Sequence, residues 1–503
     1  MLVMIDNRIF YNHLQGQINW GELSYNINDI ERIELVRGPA SALYGPNAVT
    51  GVIHIITQRP ETQTDEPLRI SASSATGQHS MNQKRMAIEY SSPTNNYGVR
   101  VSASNEQRDR VQDTFFTLSV HPNAQPNRYQ TADEIFYSNS GSERVGWADL
   151  QFPDPKLAQT NTSWNTSLRY DNQSDLSWDL DIGRNESTRL GVIGDVGVSV
   201  LGVQDYDASF INAQLKWQDY SFQFFENYGE NTRRSDALPD GIYLNKYNTK
   251  SAKISNDWNI TDKNYLQSEM RYKNIRIIDD PLFNGSGRSE IFSLALRLDA
   301  QPSSWRLIGT INYDYFSLLN KEERSYQLAA SRPLSGKSTL RSSYSHAIRQ
   351  PFMLEYFLNI SIPFASGGLF QFLGNQDLNF VEHDNMEVGL RSHVNETLTY
   401  DLELWHSRTK NFSARGIVSS GPDGIISSFL NIPLEVEQSG ITANLNYEIS
   451  DKLDIQYFLT FQETQLDDAY DTLTVLSDPR DRCHQATPTW FSGFVANYDI
   501  REN

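Results

Sequence analysis

A chain of 503 residues with one cysteine, 12% aromatics and a formal charge of -19 excludes several classes at once. Cys483 has no partner for a disulfide framework, 25 Tyr, 24 Phe and 9 Trp are too many for a disordered chain, and the acidic balance lacks the basic face a nucleic-acid binder needs. No run of about 18 apolar residues could form a membrane-spanning helix. The low mean hydropathy of -0.53 still permits a membrane barrel, whose strands need apolar residues at only every second position.

Met1 is followed at once by Leu-Val-Met-Ile-Asp, which reads as a strand without a basic leader segment. The first sixty residues are dense in Ile, Val and Gly and hold a compact run from Glu31 to Thr57. Gln58 to Pro67 is polar and carries two prolines, so residues 1–60 are expected to form one unit, 61–67 a linker and 68–503 a second unit.

From Leu68 the pattern has period two. Phe292, Leu294, Leu296 and Leu298 alternate with Ser293, Ala295, Arg297 and Asp299, and Leu398, Tyr400, Leu402 and Leu404 alternate with Thr399, Asp401 and Glu403. Successive strand side chains point to opposite faces, so each such segment has one greasy and one wet face. About eighteen segments of this kind follow one another, many near the ~9–11 residues that cross a bilayer when tilted. Their connections alternate. Pro93–Asn96, Asn172–Ser174, Thr261–Asn264 and Ser450–Lys452 are short; Glu106–Asn161, Glu186–Asp205, Tyr228–Lys246, Ile348–Val381, Thr409–Ile432 and Glu463–Thr487 are long. Antiparallel neighbours put alternate connections at opposite ends, so all short turns lie at one end, as an outer-membrane barrel requires. One link, Asn320–Glu323, is short where a long one is due. A soluble β-sandwich or propeller also alternates but rarely sorts loop length by parity over so many strands.

The run Ile30 to Thr57 closely resembles the plug-domain signature of TonB-dependent outer-membrane receptors. Its elements are Ile-Glu-Arg-Ile-Glu, Arg37-Gly38-Pro39, Leu43-Tyr44-Gly45 and Gly51-Val-Ile-His-Ile-Ile-Thr57, with Glu31 and Glu34 in the motif. A second block is similar to the same family: Tyr344-Ser-His-Ala-Ile-Arg-Gln-Pro351, Gly374-Asn-Gln-Asp-Leu378 and Met386-Glu-Val-Gly389. The resemblance departs at Asn7, Thr50 and His54, where the family has Gly, Gly and Asn, and Asn tolerates the left-handed turn expected at position 7.

The resemblance implies an all-β-dominated fold: a transmembrane antiparallel β-barrel of about 18 visible strands, against the 22 of the family, with a partial α/β plug domain inside. On this reading 1–60 is the C-terminal part of the plug and 68–503 an incomplete, unclosed barrel, with the family's coupling box and leader absent. It further implies uptake of a scarce nutrient across the bacterial outer membrane, most often a ferric siderophore, with cobalamin, haem or carbohydrate as other cargoes. The partners implied are a TonB-type energy-coupling protein, a small-molecule metal chelate and outer-membrane lipid, in a monomer with no intrinsic cofactor and no bound metal. A soluble β-rich carbohydrate-binding protein is the reading from another class; it requires no lipid-facing aromatic girdle.

Site residues follow from the same motifs. Arg37, emerging after a strand at a Gly-Pro turn, needs a carboxylate if it is buried. The alternation Met386, Val388, Leu390 turns Glu387 and Arg391 to the lumen, so the expected plug–barrel ion pair joins Arg37, with Arg32, to Glu387, and Thr442 adds a hydrogen bond where the family has a second acid. The loop Phe10 to Trp20 resembles an apical loop beneath the ligand, which makes Tyr11, His13, Gln15 and Gln17 contact candidates. Phe352, Tyr356 and Phe357, in a long aromatic-rich loop, are expected to be exposed for binding or to pack that loop on itself. No HExxH, Gly-x-Ser-x-Gly or phosphate-cradling loop is present, so no catalytic residue is assigned. The Arg482-Cys483-His484 triplet lacks a third ligand at metal spacing, and the loop pairs Asp279-Asp280 and Asp467-Asp468, which could hold a hard cation such as calcium, read first as solvated carboxylates.

Overall fold

The computed structural model describes residues 1–64, 66–77, 81–109, 114–117, 128–131, 157–195, 198–234, 242–280, 282–283, 285–363, 368–466 and 487–499. The loop pair Asp467-Asp468 and the triplet at Cys483 lie outside them, as does most of the Glu106–Asn161 link.

The N-terminal unit is a four-stranded sheet of β1 (Leu2–Ile5), β2 (Arg8–Ile9), β3 (Ile30–Arg37) and β4 (Gly51–Thr57), in the order β2-β1-β4-β3. β1 and β4 are parallel and the other joins antiparallel. A short helix, α1 (Ser41–Tyr44), connects β3 to β4. The tight β1–β2 turn puts Asp6 and Asn7 at φ 48° and 65°, the left-handed region that Asn enters readily. His54 Nε2 accepts the Asn7 backbone N–H at 3.1 Å, so the departure from the motif at this position ties the turn to β4.

The rest is one antiparallel barrel. Its strands begin with β5 (Leu68–Thr76), β6 (Asn82–Ser91) and β7 (Tyr97–Asp109); a small hairpin of β8 (Thr114–Thr117) and β9 (Arg128–Thr131) stands apart. The wall continues through β10 (Leu157–Asp171), β11 (Leu176–Asp195), β12 (Val198–Trp217), β13 (Tyr220–Arg234), β14 (Ile242–Thr261), β15 (Asn264–Asp280), β16 (Gly285–Ala300), β17 (Arg306–Phe316), β18 (Lys321–Ser335) and β19 (Ser338–Arg349). α2 (Met353–Phe357), β20 (Asn359–Pro363) and β21 (Leu369–Leu373) interrupt it before β22 (Val381–His393) and β23 (Leu398–Lys410). The hairpin β24 (Ser413–Gly421) and β25 (Gly424–Asn431) precedes the last wall strands, β26 (Val436–Ser450), β27 (Leu453–Leu466) and β28 (Trp490–Tyr498).

The wall holds 18 strands, as the alternation predicts, and their order is that of a closed barrel, with β7 beside β10 and β28 beside β5. This corrects the expectation of an unclosed sheet. At the β28–β5 join all nine residues of β5 and eight of nine in β28 are exposed. Two expected long loops are instead strand. β11 and β12 run together as far as Asp195 and Val198, and β13 reaches Arg234, because nothing in Arg184–Tyr206 forces a turn before Gly194. The short β17–β18 link is real, and a long loop covers it: Phe316 packs on Phe380 with ring centroids 4.6 Å apart, and Lys321 Nζ donates to the Leu378 carbonyl.

The outer face is apolar on every side, with Leu294, Leu296, Ile254, Leu404 and Ile441 exposed. At the short-turn end it carries aromatic pairs, Tyr90–Tyr97, Tyr170–Trp178 and Trp217–Tyr220, with centroids 6.1 to 6.4 Å apart. Exposed apolar side chains with an aromatic belt at one edge are what a bilayer interface requires and what a soluble barrel would not carry. No helix is long and apolar enough to cross a membrane.

Candidate functional site: the plug apex and the barrel mouth

The plug sits inside the barrel, held mainly by amides from the wall. Asn165 Nδ2 donates to the Ser24 carbonyl and Asn185 Nδ2 to that of Gly21, each at 2.6 Å, while Gln214 reaches the Asp6 carbonyl and Asn227 that of Ile9 at 3.0 and 2.9 Å. Irregular plug backbone has carbonyls no sheet satisfies, and a buried carbonyl left alone is costly. Inward Asn and Gln at alternate positions supply the missing donors.

The charged lock differs from the expected one. Arg32 is taken by Glu31 and Glu34 at 2.5 and 2.8 Å on an exposed surface of the plug. Among the described residues no ion pair joins Arg37 to Glu387. Glu387 does face the lumen, but it stands against Gly38, whose added Cβ would lie 3.2 Å from its Oε1, and it accepts from Asn385 at 2.7 Å. Thr442 bonds Thr460 on the neighbouring strand instead of the plug. Arg37 stays exposed, so it has no desolvation penalty that would demand a carboxylate.

The buried ion cluster has the opposite polarity. Asp29, just before β3, accepts from Arg85 of β6 at 2.5 Å and Arg100 of β7 at 3.0 Å, and Arg100 also pairs with Glu89 at 3.1 Å. All four side chains are buried. Glu89 further accepts the backbone N–H of Glu61, so the cluster pins plug, linker and first wall strands together. The sequence signal was available: Arg85 and Glu89 occupy the inward phase of β6.

The rest of the plug motif makes the remaining contacts. Gly45 ends α1 at φ +87°, and any Cβ there would strike the Arg271 guanidinium, which donates to the Tyr44 carbonyl at 3.1 Å. Gly38 and Pro39 turn the chain from β3 towards α1, and Gly51 pairs with Arg37 at the start of β4. The two motif blocks meet in space: Asn47 N–H donates to the Ile348 carbonyl and Gln350 N–H to Asn47 Oδ1, each at 3.0 Å.

At the long-loop end the plug apex is stitched to α2. The Met353 and Leu354 N–H groups donate to the His13 and Leu14 carbonyls at 3.1 and 3.0 Å, and Leu14 packs with Ile277, Leu282, Phe283 and Met353. Of the apical candidates, Tyr11 and His13 form an edge-on pair 5.1 Å apart; His13 is buried and Tyr11 half-buried, while Gln17 is exposed. Burial, then Lys273, pushes the His13 imidazole well below its usual value, and burial raises the Tyr11 phenol. Tyr356 is buried rather than exposed, and Phe357 packs on Phe283 of the link between β15 and β16, with ring centroids 5.5 Å apart.

A cleft of about 250 Å³ remains open beside them, lined by Gln15, Phe352, Leu354, Glu355, Phe372 and Arg415 among others. Arg349 lies over the Phe352 ring at 4.4 Å and Arg415 over that of Phe372 at 5.7 Å. Glu355 pairs with Arg349 at 3.5 Å and accepts from Ser413. β20, β21, β25 and β24 form a small sheet roofing this side of the mouth. Asp280 is buried rather than a solvated loop carboxylate, capping the Leu282 N–H and accepting from Asn245. No cluster of metal-ligating side chains occurs among the described residues.

A plug sheet within a lipid-faced barrel, with both motif blocks in contact, is the setting for comparison with known proteins. Residues 85–498 match the model of the TonB dependent receptor-like β-barrel, and residues 1–52 that of the TonB-dependent receptor plug domain. The chain belongs to the TonB-dependent receptors. The family is one of outer-membrane barrels of transporter and receptor type. Among solved structures, a variant of the ferric enterobactin receptor PfeA from Pseudomonas aeruginosa has a TM-score of 0.72 at 15% identity, covering 100% of this chain and 76% of that one. The siderophore receptor PirA from the same organism gives 0.64 at 16%, covering 93% and 79%. At such identities the likeness is one of fold. Among curated proteins, the vitamin B12 transporter BtuB of Vibrio vulnificus is 34% identical over 74 residues, 15% of this chain and 12% of the relative. The iron-regulated outer membrane virulence protein of Vibrio cholerae is 50% identical over 42 residues, 8% of this chain and 6% of that protein. These matches span only a small part of the curated relatives' length.

Proposed function

We propose that this receptor takes up a scarce nutrient chelate, a ferric siderophore, across the bacterial outer membrane, driven by a TonB-type coupling protein. The observation that carries the cargo is the mouth cleft. Arg415, its guanidinium over the Phe372 ring, lines that cleft together with Gln15 of the plug apex and Phe352. Guanidinium attracts anionic oxygens and aromatic faces hold flat ligand surfaces, a pairing suited to an oxygen-rich anionic chelate. Because the plug apex is hydrogen-bonded to α2, occupancy of the cleft is felt directly by the plug.

The cobalamin reading has one specific observation in its favour, the BtuB match over 74 residues. Quenching of intrinsic fluorescence in detergent separates the two. Saturable quenching by ferric catecholate or hydroxamate chelates, weakened in Arg415→Ala, is expected. Saturation by cyanocobalamin with no response to any iron chelate would overturn the siderophore reading.

A further inference from the structure

The outer face of the wall from β11 to β17 is not a smooth apolar band. A groove of about 960 Å³ crosses it, lined among others by Trp178, Phe222, Ile254, Met270 and Tyr313. The register sets its floor. Ala213 of β12 stands beside Phe224 of β13, Phe224 beside Ala252 of β14, and Ala252 beside Tyr272 of β15. Two methyl groups thus occupy positions where their neighbours in the row carry rings, and the row dips at both. Phe224 and Phe292 rise from it, 41% and 49% exposed. Tyr272, Phe292 and Tyr315 continue the row as a ridge, with ring centroids 4.9 and 6.4 Å apart.

The groove runs the height of the wall. At its foot Trp178 stacks on Tyr170 near the short-turn end. At its head lie Tyr272, Tyr313 and Tyr315. Tyr315 is one residue from the end of β17, and its hydroxyl donates to Asn320 of the link to β18 at 3.2 Å. Trp and Tyr at the two ends of an apolar stretch mark the two surfaces of a bilayer. The head of the groove is therefore at the headgroups of the outer leaflet.

The cations around this head are of two kinds. Arg288 is neutralised by Glu290 and Lys250 by Glu226, at 2.6 and 3.1 Å. Arg324 of β18, directly opposite Tyr313, is exposed and has no ion pair or hydrogen bond among the described residues. Arg276 of β15 is also exposed and donates to the Asn274 side chain at 3.1 Å, with no carboxylate partner among the described residues. Glu322, opposite Tyr315 on the same face, offsets one of these two, so one positive charge is left over. In a chain with 62 carboxylates against 43 Lys and Arg, that local excess runs against the overall balance.

We propose that the groove is a binding site for a phosphorylated glycolipid of the outer leaflet. Its acyl chains lie in the dips at Ala213 and Ala252, between the rings of Phe224 and Phe292, and Arg324 holds a phosphate at the head. Guanidinium meets phosphate through paired N–H donors, and basic side chains at the membrane surface are what recognises an anionic headgroup. The site is on the lipid side of the wall, away from the plug and the mouth cleft, so it is independent of the cargo.

The test is native mass spectrometry of the full chain, folded in detergent, with added bisphosphorylated lipid A. Heat-modifiable gel migration establishes folding for each variant. A defined lipid adduct is expected. Its affinity should fall about tenfold in Arg324→Gln, which removes a charge-assisted contact. It should fall as far in Ala252→Phe, which fills the groove and keeps the face apolar. Arg408→Gln should bind as the wild type does, because that arginine is already paired with Glu435. Lipid A stripped of its phosphates should bind the wild type as weakly as intact lipid A binds Arg324→Gln. Equal adducts in the wild type, Arg324→Gln and Ala252→Phe would overturn the proposal, since the lipid would then be a general coat. Displacement of the lipid by an equal concentration of inorganic phosphate would also overturn it, since Arg324 would then hold free anions.

Discussion

Two stretches of the barrel wall, the arc β10–β19 under the plug and the bare arc of β23, β26, β27, β28 and β5, share an outer face and differ inside. Both alternate apolar residues towards lipid, as Leu294 and Leu296 do on β16 and Ile441 and Tyr447 on β26. On the arc β10–β19, Asn165, Asn185, Ser187, Gln214 and Asn227 point inward and their donors meet plug carbonyls at 2.6 to 3.0 Å. On the bare arc the inward amides bond other wall residues, as Asn497 bonds Asp454 and Gln438 bonds Thr464. Outer hydropathy is set by the bilayer and is uniform; inner chemistry is set by what is packed there. The second face thus records which part of the wall the plug occupies, and hydrogen bonds to irregular backbone do more of the holding than the ion pair expected at Arg37.

That contrast can be broken most sharply at Asp29, where the plug is fixed to β6 and β7. Asp29→Ala leaves the buried guanidiniums of Arg85 and Arg100 facing each other with only Glu89 to share. A loss of about 3–5 kcal/mol is expected, read as a lower denaturant midpoint for plug unfolding and faster hydrogen exchange in β3 and β4. A smaller effect comes from the covered arc. Asn185→Ala removes the donor to the Gly21 carbonyl and should cost about 1–3 kcal/mol in the same measurement, whereas Asn446→Ala on the bare arc should leave the midpoint unchanged. Acidification should act on the plug as well. Burial holds the His13 and His54 imidazoles below the ordinary histidine value, so the unfolded state takes up protons first as pH falls. The stability they contribute is fully present above that ordinary value, about 6.5, and is lost as pH drops through the lower folded values. Protection factors of the plug sheet, that is, exchange corrected for its intrinsic pH dependence, should fall from pH 7.5 downward, and less so in His54→Asn. Smallest of all, Arg32→Ala should produce no measurable change, because its pairs with Glu31 and Glu34 are solvent-exposed.

Much of the fold was legible because lipid imposes a strict period of two, visible from Phe292 to Leu298 without any knowledge of tertiary contacts. Strand ends were not. The alternation along Glu186 to Asp205 continues past the thickness of a bilayer, and bilayer length gave no reason to extend β11 and β12 to 20 residues each. The turn at Asn7 was legible, since Asn enters the left-handed region for a local reason, whereas α1 was not located. The plug's ion pair was misassigned for a physical reason: which carboxylate meets which arginine depends on the depth and rotation of the plug within the ring, and neither has a local signature. Asp29 lies only eight residues from Arg37, but it stands at the other end of β3 and on the opposite side of the barrel.

Hydrogen–deuterium exchange of the plug sheet in the folded chain tests the division of the barrel most directly. With β3 at the edge of the plug sheet and none of its residues buried, its amides not paired to β4 exchange as fast as those of a solvent-exposed strand, while Gly51–Thr57 beside it remains protected. Equal, strong protection of both strands would mean that β3 is covered, and would contradict the account.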